Sequence, residues 1–167
     1  ILIQSGTTWE TSTSSLNVDG SIVGGVIRHI AGMQLISSGS YSAQSSQGNG
    51  GSIDITARST KFLTASMNAD GYTGGGVVRL GGEYQGGKDL PTDDLPNALS
   101  LVMDRGTRIN VRALSEHGKG GTTILWSDLE TVALGTINAT PGTVSGDGGF
   151  AEISSGGTLS YDATVQT

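Results

Sequence analysis

Two pairs of acids are the strongest candidates for acid–base chemistry in this chain. A glycoside hydrolase needs two carboxyl groups about 5 to 10 Å apart in a cleft. Asp93 and Asp94 are adjacent, so in an extended strand their side chains would point to opposite faces. Asp54 and Glu152 stand at equivalent positions of two strand-like segments, and we expect them to face solvent several repeats apart. The acids are therefore interpreted as solvated surface groups, and the chain is predicted not to be an enzyme.

Metal, nucleophile and phosphate chemistry have even less support. The two histidines, His29 and His117, are far apart in the sequence, and there is no cysteine for a structural zinc site. The tandem Gly-Gly-x-Gly-x-Asp pattern of calcium-binding β-rolls is absent, as is the G-x-S-x-G turn of a serine nucleophile. Gly-Gly pairs do occur, but they precede strand-like segments rather than the helix that follows a phosphate-binding loop. We predict no catalytic residue, no metal site and no cofactor.

The Gly-Gly pairs belong to a repeat that runs the length of the chain. They are Gly24-Gly25, Gly50-Gly51, Gly75-Gly76, Gly120-Gly121 and Gly148-Gly149, each followed by apolar residues at alternate positions. A triplet of an apolar, a small polar and a small apolar residue follows at a fixed distance. The interval is 16 residues from Gly25 to Tyr41, from Gly51 to Met67 and from Gly121 to Ile137. This regularity indicates stacked copies of one structural unit.

The repeat predicts an all-β fold, a parallel β-helix of about six coils of about 25 residues that forms one domain over 1–167. No segment has the 3.6-residue apolar spacing of an amphipathic helix. We expect the Gly-Gly pairs to form corners, because glycine accepts a positive φ without cost. Like side chains of successive coils should then stack in buried columns. One predicted column is Ile55, Leu80, Leu125 and Ile153, and a second is Tyr41, Met67, Ile109 and Ile137.

Asparagine recurs at one position of the triplet. The four residues are Asn17, Asn68, Asn110 and Asn138. They are either turn-forming or solvent-facing residues at a strand edge, or an amide ladder like those of other stacked parallel strands. Asn138-Ala139-Thr140 also matches a glycosylation sequon, but it coincides with the triplet, and the sequence does not decide whether it is modified.

The fourth coil carries an insertion. From Gly76 to Ile109 there are 33 residues, 17 more than the usual interval. The insertion is placed at 81–103, and we expect a loop or hairpin that stands off the rod, where insertions in repeats often bind partners. The predicted partner-contact residues are Glu83, Tyr84, Asp93, Asp94 and Trp126. Trp126 follows an inward leucine, so its ring should point outward or cover a corner, either to contact a sugar or to pack on the adjacent coil.

The charge pattern excludes one class of partner. The net charge is −6 and the nine basic residues are scattered, so the chain lacks the basic surface that a nucleic-acid backbone requires. The chain begins and ends within repeat-like sequence, which we interpret as a β-helix segment of a longer chain. Exposed strand edges at the ends of such a segment can pair, so end-to-end self-association is a further expectation.

Four motifs resemble one family of bacterial exoproteins. They are a tyrosine-containing glycine-rich segment, "GGGVVRLGGEYQGG", then "LPNA", then the Trp-Ser-Asp of "TTILWSD", and the Gly-Asp-Gly-Gly-Phe of "SGDGGFAEI". Together they resemble filamentous-haemagglutinin-type adhesins of two-partner secretion systems and related autotransporters, closely over about 74–157 and elsewhere only by period.

The resemblance implies a right-handed parallel β-helix that is exported by an outer-membrane transporter. It also implies an extracellular or cell-surface location and a shaft that serves adhesion or filament formation. The partner would be a receptor or glycan on a host cell or a neighbouring cell. Two alternatives stay open at this point. One is a secreted polysaccharide-active enzyme on the same scaffold, and the other is the shaft of a contact-dependent toxin-delivery exoprotein.

Overall fold

In the computed structural model, the described residues are 1–88 and 95–167, and they form a parallel β-solenoid of about six turns, consistent with a right-handed β-helix. The predicted fold class is confirmed. Coils 1 to 3 contain β1 (Leu2–Glu10), β2 (Ser15–Asn17), β3 (Val26–Ser37), β4 (Ser40–Ser42), β5 (Ser52–Phe62) and β6 (Ser66–Asn68). Coils 4 to 6 contain β7 (Val77–Leu80), β8 (Ser100–Met103), β9 (Arg108–Asn110), β10 (Thr122–Leu125), β11 (Glu130–Ala133), β12 (Thr136–Asn138), β13 (Phe150–Ile153), β14 (Thr158–Tyr161) and β15 (Thr164–Gln166).

Two parallel sheets wrap the core, and the larger one divides halfway along the rod. The smaller sheet has the order β15-β12-β9-β6-β4-β2 and contains the triplets. In the larger sheet the long strands β1, β3 and β5 each span two sides of the solenoid. The first half of β5 pairs with β7 and its second half pairs with β8. Between β7 and β8 the chain leaves the coil, so the two sides continue as separate strands, β7-β10-β13 and β8-β11-β14.

The two predicted core columns are present in register. Leu80 pairs with Ile55 on one side and with Leu125 on the other, and Leu125 pairs with Ile153. The second column pairs Tyr41 with Met67, Met67 with Ile109, and Ile109 with Ile137. All but Ile153, in coil 6, are buried. Burial of one such side chain contributes about 1.5 to 3 kcal/mol, so the columns are a main source of stability.

The Gly-Gly corners exist, but the predicted reason for glycine is wrong. Positive φ angles occur at Gly81, Gly86, Gly87 and Gly146, and none of these belongs to a Gly-Gly corner pair. The pairs need glycine because successive coils approach closely. A Cβ on Gly50 would lie 1.9 Å from the carbonyl oxygen of Ala69, and one on Gly51 would lie 1.9 Å from that of Gly25. Backbone atoms cannot make room for a side chain there.

The triplet asparagines divide between the two interpretations. Asn138 Nδ2 donates to Asn110 Oδ1 at 2.8 Å, so these two coils share an amide contact. Asn17 and Asn68 instead accept the backbone N–H two residues further on, at 2.9 and 3.0 Å, and form local turns. The residue two places later is an aspartate, Asp19 or Asp70, where the local turn forms, and is Arg112 or Thr140 in the pair that shares the amide contact.

Candidate partner-contact face

The insertion folds back onto the outer surface of coils 3 to 6. The Gly81 N–H donates to the carbonyl of Ile55 at 2.8 Å, and the returning Ala98 N–H donates to the carbonyl of Gly81 at 2.6 Å. Leu95 and Ala98, in the returning part of the insertion, are buried. The described parts, 81–88 and 95–99, therefore lie against the rod rather than standing off it. Residues 100–103, which were expected to belong to the insertion, form β8 instead.

A buried ion cluster lies where the insertion leaves β7. Arg79 donates to both carboxylate oxygens of Asp54, through Nε at 2.7 Å and Nη2 at 2.8 Å. Its Nη1 also contacts the carboxylate of Glu83. Asp54 is 2% exposed and Glu83 is 6% exposed. The expectation that Asp54 is a solvated surface acid is wrong, because the side chains of Arg79 and Ser52 bind its buried carboxylate.

Trp126 packs beneath the insertion. Its Nε1 donates to Asp128 Oδ1 at 2.9 Å, and the same oxygen accepts from Asn97 Nδ2 at 3.0 Å. Asn97 Nδ2 also lies 3.1 Å from the carbonyl of Gly86. A Cβ on Gly86 would lie 2.7 Å from the indole ring, so the backbone of the insertion rests directly on the tryptophan. The sequence predicts that Trp126 either contacts a sugar or packs within the fold, and these contacts are packing contacts.

The outer rim of the insertion reaches coil 6. Tyr84 and Phe150 form an edge-to-face pair, with ring centroids 5.8 Å apart and planes at 62°. Beside them the Gln85 N–H lies 3.1 Å from both carboxylate oxygens of Glu152. Gln85 has φ 50°, an uncommon conformation for a residue with a side chain. This rim therefore presents two aromatic rings, 38% and 48% exposed, next to an amide and a carboxylate.

The four motifs that carried the resemblance meet at this one face. The glycine-rich segment supplies Tyr84 and Gly86, and Pro-Asn-Ala supplies Asn97. Trp-Ser-Asp supplies the indole–carboxylate pair, and Gly-Asp-Gly-Gly-Phe supplies Phe150. We call the surface formed by 81–88, 95–99, Trp126, Asp128, Phe150 and Glu152 the insertion face. The motifs are up to 67 residues apart in the sequence, and the coil-to-coil register brings them together.

The predicted partner-contact residues differ in their exposure to solvent. Tyr84 is exposed at the rim, Trp126 is half-buried, and Glu83 is buried against Arg79. Asp93 and Asp94 lie outside the described residues. Sequence reasoning missed Arg79, Asn97 and Phe150. Only their place inside the quoted motifs could have indicated them. The contact role itself stays a prediction.

Two kinds of feature are absent from the described part of the chain. Residues 1–88 and 95–167 contain no group of three or more His, Asp or Glu side chains that could hold a metal ion. In the same ranges there is no helix with the length and apolar character needed to cross a membrane.

The fold is that of a parallel β-helix whose fourth coil carries an insertion packed on its outer surface. The crystal structure of the HMW1 secretion domain from Haemophilus influenzae is similar to it, with a TM-score of 0.57 and 23% sequence identity. The similarity covers 95% of this chain and 47% of that domain, so the chain spans about half the length of the domain it matches. At this identity the likeness shows the fold alone. No family model matches the chain, and no curated protein matches it.

Proposed function

We propose that this chain is a non-enzymatic segment of an exported bacterial adhesin or surface fibre of the filamentous-haemagglutinin type. The rigid β-helix is the shaft, and the insertion face is its partner-contact surface. The observation that carries the proposal is the convergence of the four motifs on that face. The likeness to a secretion domain supports export, and the resemblance in the motifs adds an outer-membrane transporter as the export partner and the cell surface as the location.

The chemistry of the rim favours a glycan or glycosylated receptor as the adhesion partner. Aromatic rings stack on the apolar faces of sugars, and carboxylates and amides bind their hydroxyl groups. Tyr84 and Phe150 supply partly exposed rings, and Glu152 and Gln85 supply polar groups beside them. The net charge of −6 favours neutral or cationic partners over polyanions.

A non-enzymatic role is supported by the contacts of three acids in or beside the insertion face. Asp54 and Glu83 both contact Arg79, and Glu152 accepts the N–H of Gln85. A pair of carboxyl groups for sugar hydrolysis must instead reach the scissile bond. Asp54 and Glu83 are buried against Arg79 and cannot do so.

A binding assay with matched variants tests the proposal. The purified protein is applied to a panel of immobilised glycans and to intact epithelial and bacterial cells. The paired substitution Tyr84→Ala and Phe150→Ala should abolish the binding that the wild type shows. Tyr72→Ala is the control, because Tyr72 is an exposed tyrosine in a turn away from the insertion face. Binding that survives the paired substitution, or that Tyr72→Ala removes equally, would contradict the assigned surface. If the protein cleaves a polysaccharide and Glu83→Gln abolishes the cleavage, the protein is an enzyme and the proposed non-enzymatic role is wrong.

A further inference from the structure

One position in the first core column is occupied by an ionisable residue. His29 is fully buried and lies in register between Ile3 of β1 and Ile55 of β5. The corresponding positions of coils 3 to 6 are Ile55, Leu80, Leu125 and Ile153. An imidazole in place of an aliphatic side chain brings polar atoms into the core, and these must find partners or cost free energy.

All polar partners of the His29 ring come from the first strand. Nε2 lies 3.1 Å from Thr8 Oγ1, and Nδ1 lies 3.5 Å from Glu10 Oε1 without forming a hydrogen bond in the described structure. Thr8 is in turn 2.5 Å from Ser5 Oγ. On the opposite side of β3, the register partner of His29 is the apolar Ile55 of β5. The contact between coil 1 and coil 2 is therefore a polar layer in an otherwise apolar column.

The carboxylate of this layer has a second partner. The hydroxyl of Tyr41 in β4 donates to Glu10 and lies 2.8 Å from Ser37 Oγ on β3. Burial and the bond to Glu10 raise the pKa of Tyr41 above its usual value, so the hydroxyl stays protonated and keeps donating. Among residues 1–88 and 95–167, Glu10 of β1 and Tyr41 of β4 are thus the titratable groups that face His29. Arg28, the neighbour of His29 in β3, points to the opposite face of the sheet by strand alternation.

We propose that the contact between coil 1 and coil 2 is a pH-sensitive joint, in which protonation of His29 under mildly acidic conditions releases β1 from β3. A neutral imidazole needs one donor and one acceptor, whereas the cation needs two acceptors. The oxygen nearest to Nδ1, Glu10 Oε1, is 3.5 Å away and forms no hydrogen bond with it, and the other oxygen of that carboxylate is held by Tyr41. Release of β1 uncovers the edge of a strand of 12 residues, Val26–Ser37, and such an edge can pair with another strand.

The direction of the pH effect on stability follows from the charge state of His29 that the buried site prefers. Burial lowers the pKa of His29 below its ordinary value of 6.5, and the nearby charge of Glu10 partly opposes this effect. The folded state therefore favours the neutral ring. The stabilisation is fully present above about pH 6.5 and is lost as the pH falls from there through the lowered folded-state value.

Hydrogen exchange measured by mass spectrometry tests the joint. Amide protection, corrected for intrinsic exchange rates, is compared between about pH 7.5 and about pH 5. We expect β1 and β2 to lose protection in acid while β10, β11 and β12 keep theirs. His29→Leu should remain protected in coil 1 at both pH values. His117→Leu is the control, because His117 is on the surface, and it should behave as the wild type does.

A second variant separates titration of His29 from a merely structural effect. Glu10→Gln retains an acceptor for Tyr41 but removes the charge that raises the pKa of His29, so release of β1 should move to lower pH. If His29→Leu fails to fold, NMR titration of the His29 ring in the wild type decides the question. The proposal is overturned if β1 is equally protected at both pH values. It is also overturned if the protection of β1 depends on pH in His29→Leu as it does in the wild type, or if the His29 ring titrates above pH 6.5.

Discussion

Arg79 in β7 binds both carboxylate oxygens of Asp54, its register partner in β5, at 2.7 and 2.8 Å. A guanidinium and a carboxylate held this way form one of the stronger polar contacts in proteins. The side chains are 15% and 3% exposed, so the pair is largely shielded from water. Because Arg79 also contacts Glu83, it joins two adjacent coils to the insertion.

Replacement of Asp54 should therefore be costly. Asp54→Ala leaves a largely buried guanidinium without its bidentate partner, and breaking a buried pair typically costs about 3 to 5 kcal/mol. The free energy of unfolding from urea titrations checks the expectation. Asp147→Ala is the matched control, since Asp147 binds Lys119 at 2.9 Å where both side chains are more than 75% exposed. A loss of the same size in both variants would contradict the buried role of Asp54.

The corner glycines should not tolerate a methyl group. In Gly50→Ala the new Cβ would meet the Ala69 carbonyl oxygen at 1.9 Å, and we expect a loss of about 3 kcal/mol or more. Gly6→Ala is the control, because a Cβ at Gly6 has nothing within 4 Å. Thermal unfolding of the two variants distinguishes close approach from general glycine flexibility, since flexibility alone would predict that both substitutions stabilise the protein.

The first column should show the ordinary cost of a core cavity. Leu80 is completely buried between Ile55 and Leu125, so Leu80→Ala is expected to lower the free energy of unfolding by about 2 to 5 kcal/mol. Leu114→Ala, at a leucine that is 50% exposed, should change it little. Comparable losses at the two positions would mean that the column is not a main source of stability.

Asp104 should make the protein sensitive to acid at the turn after β8. Burial alone would raise its pKa, but hydrogen bonds from the Thr64, Gly106 and Thr107 N–H groups and from the Thr107 hydroxyl lower it. A lowered folded-state value means stabilisation that is present above about pH 3.8, the ordinary value, and lost as the pH falls through the folded-state pKa.

The corresponding variant is Asp104→Asn. Unfolding midpoints are measured from neutral to acidic pH. The midpoint of the wild type should be higher than that of the variant at neutral pH, and the difference between the two midpoints should become smaller in acid. A constant difference across the whole range would show that the side chain acts only by shape.

Alternation and period were enough to predict the columns and the point after β7 where the chain leaves the coil, but not its return, since β8 begins at Ser100. Residues such as Ile55 and Leu80 face the core because strand geometry leaves them no other face. The path of the insertion could not be predicted in this way, because its contacts join residues as far apart as Gln85 and Glu152. His29 stands four residues after Gly25, as Ile55 does after Gly51, so its place in the column follows from the period, but its polar contacts with Thr8 and Glu10 do not. The corner glycines were placed correctly but explained wrongly. A Gly-Gly pair in the sequence does not distinguish a positive φ from a close approach of the backbone in the next coil.

The contacts of the insertion with several coils change the expected unfolding behaviour of this β-helix. In a simple solenoid each repeat interacts only with its two neighbours, and stability is a sum of local terms. Here one segment that leaves coil 4 contacts Thr56 in coil 3, Trp126 in coil 5 and Glu152 in coil 6. Coils 3 to 6 should therefore unfold as a single cooperative block, whereas coils 1 and 2 are free to fray independently.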